Sequence, residues 1–434
     1  MKHVTIIGGG AAGMMAAIAA AREGARVTVL EGMNRPGRKL LLTGNGSCNL
    51  TTADPDYQGK YHSFASGDIL PSFVKTVFGQ MDRQGVLQLF ADMGLLCRAK
   101  GEYIYPMPET AEAVLRTLMN EMQRLGVKIR TDTKALSLTW KGMEEARSRD
   151  EELAPKGSLS VGVDGWTYDA DCVVLACGSK AYPGTGSDGS GYLLARQAGH
   201  SCTRTVPALT GLLIKDPQLK NAAGCRCMAR VSAVIDGNDL YSDYGQVQWN
   251  KDGISGIVVM QLSGRIAKAV SDGRQVSVIL DLVPETEEKD LVGLLENWLT
   301  GRNLRFSSDA FKPGGQKAAE MLLQGLVNER LFPLITAQAD SYGRDKDGVA
   351  KAQILVHVLK HLCFPVAGVR GFEQAQVCSG GIPLAEVNAK TMESKCAGGL
   401  YLAGEMLDVD GPCGGYNLQW AWSTGYIAGR EAAR

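Results

Sequence analysis

The first thirty-one residues of this chain constrain its fold more than any other stretch. His3 to Ile7 is apolar and β-branched, and Gly8-Gly9-Gly10-Ala11-Ala12-Gly13 follows at once. Met14 to Glu23 is alanine-rich, and Arg26 to Glu31 returns to valine-rich strand character. Strand, glycine turn, helix and strand make one βαβ unit, with Gly24 as the helix stop. The glycines have G-x-G-x-x-G spacing, which removes side chains where a pyrophosphate must approach the backbone and the positive end of a helix. Glu31 closes the second strand 18 residues beyond Gly13. That is close to the roughly 20-residue spacing of a carboxylate that accepts hydrogen bonds from the adenosine ribose hydroxyls. A tight turn used only for helix–sheet packing is the plainer alternative. The strand–helix–strand context and Glu31 together favour a dinucleotide site.

Beyond this unit, Gly32 to about Gly67 is a Gly-, Asn- and Thr-rich loop, too long for a mere connector and therefore expected to be functional. Residues 109–126 carry apolar positions at helical spacing, and 127–138 return to strand character. The charged stretch 144–156 reads as a solvated excursion. Asp164-Gly165 between two apolar runs signals a hairpin, and Cys172 to Ala176 is a buried-type strand. Residues 203–282 read as strands and turns without crossover helices, and 285–362 as mainly helical. The βαβ chemistry resumes near Cys378, with a strand at Leu400 to Ala403, Gly404, and a last helix from about Asn417 to Arg430. The expected architecture is α/β with a discontinuous nucleotide-binding domain (1–200 and 365–434), interrupted by a strand-rich domain (203–284) and a helical insertion (285–362).

Composition sets the wider limits. The 434 residues suffice for about two or three domains. Lys+Arg and Asp+Glu are both 46, so no basic excess points to a nucleic-acid partner, and a small-molecule substrate is expected. The eleven cysteines show no regular framework, and Cys225 and Cys227 are too close for a Cys-x-x-Cys pattern. A reducing, cytoplasmic compartment follows. Gly8 to Gly10 and Gly13 interrupt the apolar start that would otherwise read as a signal peptide, and no uninterrupted apolar window is long enough for a membrane span.

Three further blocks carry chemistry. Gly37 to Leu50 offers the cations Arg38 and Lys39 and a glycine-rich backbone. Gly404-Glu405 follows a strand, and Gly414-Gly415-Tyr416-Asn417 opens the last helix. A helix N-terminus aimed at the N1/O2 edge of an isoalloxazine stabilises the negative charge of its reduced form, so these positions suit a flavin. Together with Tyr105-Pro106-Met107, Ala176 to Gly186 and the run Gly399 to Trp422, they resemble the BaiN/RdsA group of NAD(P)/FAD-dependent oxidoreductases, whose relatives include aminoacetone-oxidase-like flavoproteins. The resemblance spans nearly the whole chain. It implies FAD, with NAD(P)H as a transient co-substrate, in a glutathione-reductase-like Rossmann domain with an inserted strand-rich and helical region. It also implies a cofactor contact set: Gly8, Gly10, Ala11, Ala12, Gly13 and Glu31 around pyrophosphate and ribose, then Arg38, Lys39, Leu40, Thr43, Gly44, Asn45, Cys48 and Asn49 along pyrophosphate and flavin. Ala135, Ala176, Cys177 and Gly178 come next, with Gly404, Glu405, Asp408, Gly415, Tyr416 and Asn417 at the closing end. Cys177, Ser179 and Cys413 depart from the family's pattern, in which Thr, Gly and Thr are expected.

No residue pattern singles out a catalytic group. Tyr105, Tyr182 and Tyr416 lie in or near the glycine blocks and are candidates for delivering a proton, since an unperturbed phenol, with pKa near 10, is protonated at neutral pH. Structural hydrogen bonding is the commoner use. Cys48 has no second cysteine at disulfide-reductase spacing and reads as a buried thiol. His357 and His361 stand four apart on an expected helix without an acidic neighbour in sequence, so no metal site is expected. Trp420 and Trp422 face different ways on one helix, so at least one is packing. The leading expectation is a reductase that passes hydride from NAD(P)H through FAD to an electron-poor C=C bond, and the resemblance suggests a steroid or bile-acid enone as one candidate substrate. The absence of a second G-x-G-x-x-G keeps an O2-dependent amine oxidase open, and a flavin redox sensor is the non-enzymatic alternative.

Overall fold

A computed structural model describes residues 1–140, 159–299, 320, 322–343 and 350–434. The expected excursion at 144–156 lies outside them. The chain forms two compact units, Met1–Pro207 with Ala375–Arg434, and Ala208–Gln374.

The first unit is built on a five-stranded parallel sheet in the order Leu400–Leu402, Cys172–Leu175, His3–Ile7, Arg26–Leu30, Lys128–Arg130. His3–Ile7 sits at its centre, pairing Val4 with both Val27 and Cys172. Val4, Ile6, Val29, Val173, Val174 and Leu175 are completely buried, as expected of parallel strands covered on both faces. The helix Ala11–Arg22 packs against the closing helix Tyr416–Ala433 through small residues. A Cβ on Gly425 would stand 2.3 Å from Ala12 O, and one on Gly429 would stand 2.1 Å from Ala16 O. The helix Ala111–Arg124 is capped by Thr110, whose hydroxyl accepts from Ala113 N at 3.3 Å. Its Glu121 binds Arg124 and Arg22 at 2.7 and 2.6 Å, which hold its carboxyl down at about 2. The Asp164-Gly165 hairpin forms as expected, with Val163 paired to Trp166.

The stretch after Gly32 is less irregular than its composition suggests. It contains a 3-10 helix at Leu40–Gly46, kinked at Thr43 to Asn45, and a short strand at Thr51–Thr52.

The second unit is a closed six-stranded barrel in the order Leu212–Ile214, Gly253–Ser255, Asn238–Asn250, Arg226–Ile235, Val276–Asp281, Leu362–Val369. Its core includes Trp249 against Phe364, with ring centroids 6.0 Å apart. Two expectations change here. Residues 203–282 are not free of helices, because Ile257–Ser271 buries Val258, Val259, Leu262 and Ile266 against the barrel. The strand-rich and helical stretches also share one core, and the chain returns to the first unit at Ala375 rather than at 365, because Leu362–Val369 is itself a barrel strand.

Candidate functional site

A parallel sheet presents the carboxyl ends of all its strands along one edge, which is where open α/β folds bind ligands. Four glycine-bearing or acidic blocks arrive at that edge in the first unit. Gly8 to Gly10 follow His3–Ile7, Glu31 follows Arg26–Leu30, Ala176 to Gly178 follow Cys172–Leu175, and Ala403 to Glu405 follow Leu400–Leu402. Backbone bonds continue the ladder into these turns. Gly8 N donates to Leu30 O, Ala176 N to Ile7 O and Ala403 N to Leu175 O, each at 2.9 Å.

The glycine turn is shaped by two close approaches. Gly8 has φ +102°, and a Cβ there would lie 2.5 Å from Ala176 O. A Cβ on Gly13 would lie 1.9 Å from Gly8 O. These glycines let the helix seat on the sheet, whereas a Cβ on Gly10 would meet nothing within 4 Å. Gly10 is therefore the open face of the cradle. No side chain caps the helix it starts, so the first-turn amides, including those of Ala11 and Ala12, keep their positive potential for an anion.

Glu31 braces the cradle from the side, its Oε2 accepting from Gly9 N and its Oε1 from Met33 N, both at 2.8 Å. Burial pushes its carboxyl above the usual range, against the pull of these two amides and the charge on Arg38. Each oxygen retains a lone pair able to accept from a hydroxyl. Thr133 N donates to Glu31 O at 2.9 Å, which ties the segment bearing Ala135 to the same strand end.

The long loop joins this edge at two points. Gly37 N donates to Gly9 O at 2.9 Å, and Lys39 Nζ reaches Glu405 Oε2 at 2.6 Å. Glu405 Oε1 also accepts from Ser179 Oγ at 2.7 Å and Cys378 N at 3.2 Å, so one half-buried carboxylate holds an ammonium across 366 residues of sequence. Gly44, Asn45, Gly46 and Cys48 all have positive φ, from +52° to +89°. Thr43 Oγ1 donates to Leu40 O at 2.6 Å to hold the kink, and Leu40 is buried. Asn49 Oδ1 is buried without a hydrogen-bond partner among the described residues.

The closing helix supplies a second uncapped N-terminus. Gly415 has φ +95° and lies so near Thr51 that a Cβ would meet its backbone at 2.5 Å. Gly404, with φ +77°, donates its N–H to Thr424 Oγ1 at 2.9 Å.

The side chains of three further expected contact residues are also engaged within the protein. Asp408 is fully buried and accepts from Ser63 Oγ, Phe64 N and Ala65 N at 2.7 to 2.9 Å. Asn417 clasps its own loop through Gly411 N and O at 2.9 and 2.8 Å. Tyr416 donates to Asp54 Oδ2 at 2.7 Å. Tyr105 packs edge-on against Tyr103, and Tyr182 takes the left-handed conformation at the start of a 3-10 turn. Ser179, Cys378 and Asp54, outside the expected contact set, hydrogen-bond to its members Glu405 and Tyr416. Of these three, only Ser179 stands out in the sequence, by its departure from the family's glycine.

Three thiols are held in their protonated form. Burial pushes Cys48, Cys177 and Cys413 each up to about 12. Both tryptophans are packing. Trp420 donates to Gly404 O at 3.2 Å and Trp422 to Leu50 O at 2.9 Å, both from buried positions. In the second unit, His357 and His361 acquire the acidic neighbour missing from their sequence surroundings. Glu288 Oε2 lies 3.9 Å from His361 Nε2, in an exposed group whose His357 stacks on Tyr342 at 4.0 Å.

An open glycine cradle at the carboxyl edge of a parallel sheet, with an acidic residue closing the second strand, places this chain in the class of Rossmann-type proteins. It belongs to the HI0933-like protein Rossmann domain family, whose model matches residues 2–431. The resemblance read from the glycine blocks therefore stands. Among relatives, the chain is 39% identical to the 3-dehydro-bile acid delta(4,6)-reductase of Clostridium scindens, covering 100% of this chain and 99% of that one. It is 27% identical to the ribosomal RNA dihydrouridine synthases of Haemophilus influenzae and Escherichia coli. Those matches cover 99% and 98% of this chain and 98% and 96% of the relatives.

Proposed function

We propose that this protein is an FAD-dependent reductase that saturates a C=C bond conjugated to a carbonyl in a small, steroid-like molecule, with NAD(P)H as electron source. The observation that carries this reading is the 39% identity, over the whole chain, to a reductase of delta(4,6) bonds in 3-dehydro bile acids. The residues at the sheet edge fit a flavin dinucleotide. Gly10 leaves space beside an uncapped helix for a pyrophosphate, Glu31 retains acceptor capacity for ribose hydroxyls, and a second uncapped helix begins at Gly415.

Bound FAD supplies a hydride carrier between donor and substrate. The chain's own part is to bind, orient and hold protons. The amides of Ala11 and Ala12, with Arg38 and Lys39, would hold the pyrophosphate, and Glu405 positions Lys39 for it. The uncapped N-terminus of the closing helix would offer positive potential to the reduced flavin ring. Tyr416 holds a proton on its hydroxyl at neutral pH, because burial and the Asp54 carboxylate both raise its pKa. Among the described residues no helix is long and apolar enough to cross a membrane. All eleven cysteines are free, which supports a reducing, cytoplasmic setting.

The two dihydrouridine synthase relatives favour a second reading, because a uracil C5=C6 bond is likewise conjugated to a carbonyl. The higher identity to the bile-acid enzyme and the balanced charge favour the small molecule. The test is anaerobic mixing of the yellow protein with NADH, NADPH or a primary amine, followed by a 3-keto-4-ene steroid or a ribosomal RNA fragment. Bleaching by a nicotinamide and recolouring by the steroid, with a product two hydrogens heavier, is the expected result. Recolouring by RNA alone supports the second reading, bleaching by the amine makes the protein an oxidase, and colourless protein that takes up no FAD overturns the proposal.

A further inference from the structure

Outside the cradle, the first unit brings together His200, Glu386 and Cys396, one ligand atom from each lying within 4.8 Å of the others. His200 Nδ1 is 2.9 Å from Glu386 Oε2 and 3.7 Å from Cys396 Sγ. The imidazole is buried, whereas Glu386 and Cys396 are partly exposed, so the group has both a dry side and a route in from solvent.

We propose that His200, Glu386 and Cys396 form a binding site for a zinc-class divalent cation, with a fourth position left for water. Nitrogen, carboxylate oxygen and thiolate sulfur make the donor set that a borderline-soft dication prefers. Zinc–nitrogen and zinc–sulfur bonds of about 2.0 and 2.3 Å in tetrahedral geometry set N···S near about 3.6 Å, which the observed gap nearly meets. The Nδ1···Oε2 gap has only to open by about 0.5 Å.

The surroundings are already arranged around such a centre. His200 Nε2 lies 2.7 Å from Ser394 Oγ, a hydrogen bond that holds the ring in place beside the other two ligands. The same hydroxyl accepts from Cys396 N and Ala397 N at 3.0 and 2.9 Å, so the turn carrying the thiol folds about the atom that steadies the ring. Ser201 N and Oγ both donate to Glu386, fixing the carboxylate. On binding, the thiol releases its proton to solvent and the imidazole proton moves from Nδ1, where it faces Glu386, to Nε2, the Ser394 hydroxyl turning its own hydrogen away from the ring. The sequence pointed to no metal, because Glu386 and Cys396 lie 186 and 196 residues beyond His200.

The test uses the full chain with its flavin, in a His357→Ala background that dismantles the exposed Glu288–His357–His361 group. Chelator-treated protein is reloaded with zinc or cobalt(II), passed through gel filtration, and examined by metal analysis and cobalt difference spectra. Expected are one metal per chain and a near-ultraviolet thiolate-to-cobalt band. Cys396→Ser abolishes the band, and Ser394→Ala weakens affinity by about 10–100-fold. Melting curves without metal confirm that each variant is folded. Folded protein that retains no zinc and gives no thiolate band overturns the proposal, as does a Cys396→Ala variant that retains zinc as well as its parent.

Discussion

Tyr416 shows how much a single residue at the sheet edge is asked to do. Its backbone carbonyl accepts from Tyr61 Oη at 2.8 Å, and its ring meets that of Tyr61 edge-on at 6.1 Å. Its hydroxyl donates to Asp54, which also faces Lys60 Nζ at 3.7 Å. Tyr416→Phe keeps the ring and the carbonyl contact and removes one hydrogen bond to a carboxylate, a cost of about 1–2 kcal/mol that leaves the protein folded and flavin-bound. If the phenol delivers the proton that completes reduction, product formation falls by about 100-fold or more while the rate of bleaching by NAD(P)H is unchanged. Stopped-flow measurement of the two half-reactions separates these steps. Unchanged product formation would leave Tyr416 a structural residue and return the role to Tyr105 or Tyr182.

Among the elements, the pair Ala11–Arg22 and Tyr416–Ala433 matters most, because each begins at an uncapped turn of the site. Their separation is set by Gly425 and Gly429, which lie against backbone carbonyls of the partner helix. Alanine normally favours a helix over glycine by about 1 kcal/mol. Here its methyl would overlap backbone that cannot yield, and overpacking of this kind costs about 1–3 kcal/mol, so the clash wins. Gly425→Ala and Gly429→Ala should each lower the melting temperature and weaken FAD retention, read by thermal melts and by flavin released on dilution. A rise in melting temperature would mean that the helices re-seat without loss. What the sequence revealed at this scale follows the same logic. The glycine turn was legible because its demands are local: a positive φ at Gly8 and no room for a Cβ at Gly13. The helix Ile257–Ser271 was not, because Ile257-Val258-Val259 after two glycines has strand propensity, and only packing on the barrel makes it helical. The Lys39–Glu405 pair and the internal engagement of Asp408 and Asn417 depend on contacts between distant parts of the chain, or on loop folding that composition does not encode.

At the scale of the molecule, the chain builds most of one unit, completes another, and then returns. Each unit has its own apolar cluster. The strands Val206–Ala208 and Val377–Ser379 lie side by side where the chain leaves and re-enters the first unit. Paired strands are about 5 Å apart, so a linker of about four Gly/Ser residues can replace 209–374 and leave the strand Val206–Ala208 whole. Every residue assigned above to cofactor contact lies in 1–207 or 375–434. The excised protein should therefore fold cooperatively and bind FAD in a one-to-one ratio, as checked by flavin absorbance after gel filtration. The segment 208–374 expressed alone should fold as a barrel that binds none. An excised protein that is folded but colourless, and that takes up no added FAD, would show that the barrel unit contributes to holding the cofactor, and the contact set drawn from the sheet edge would have to be enlarged.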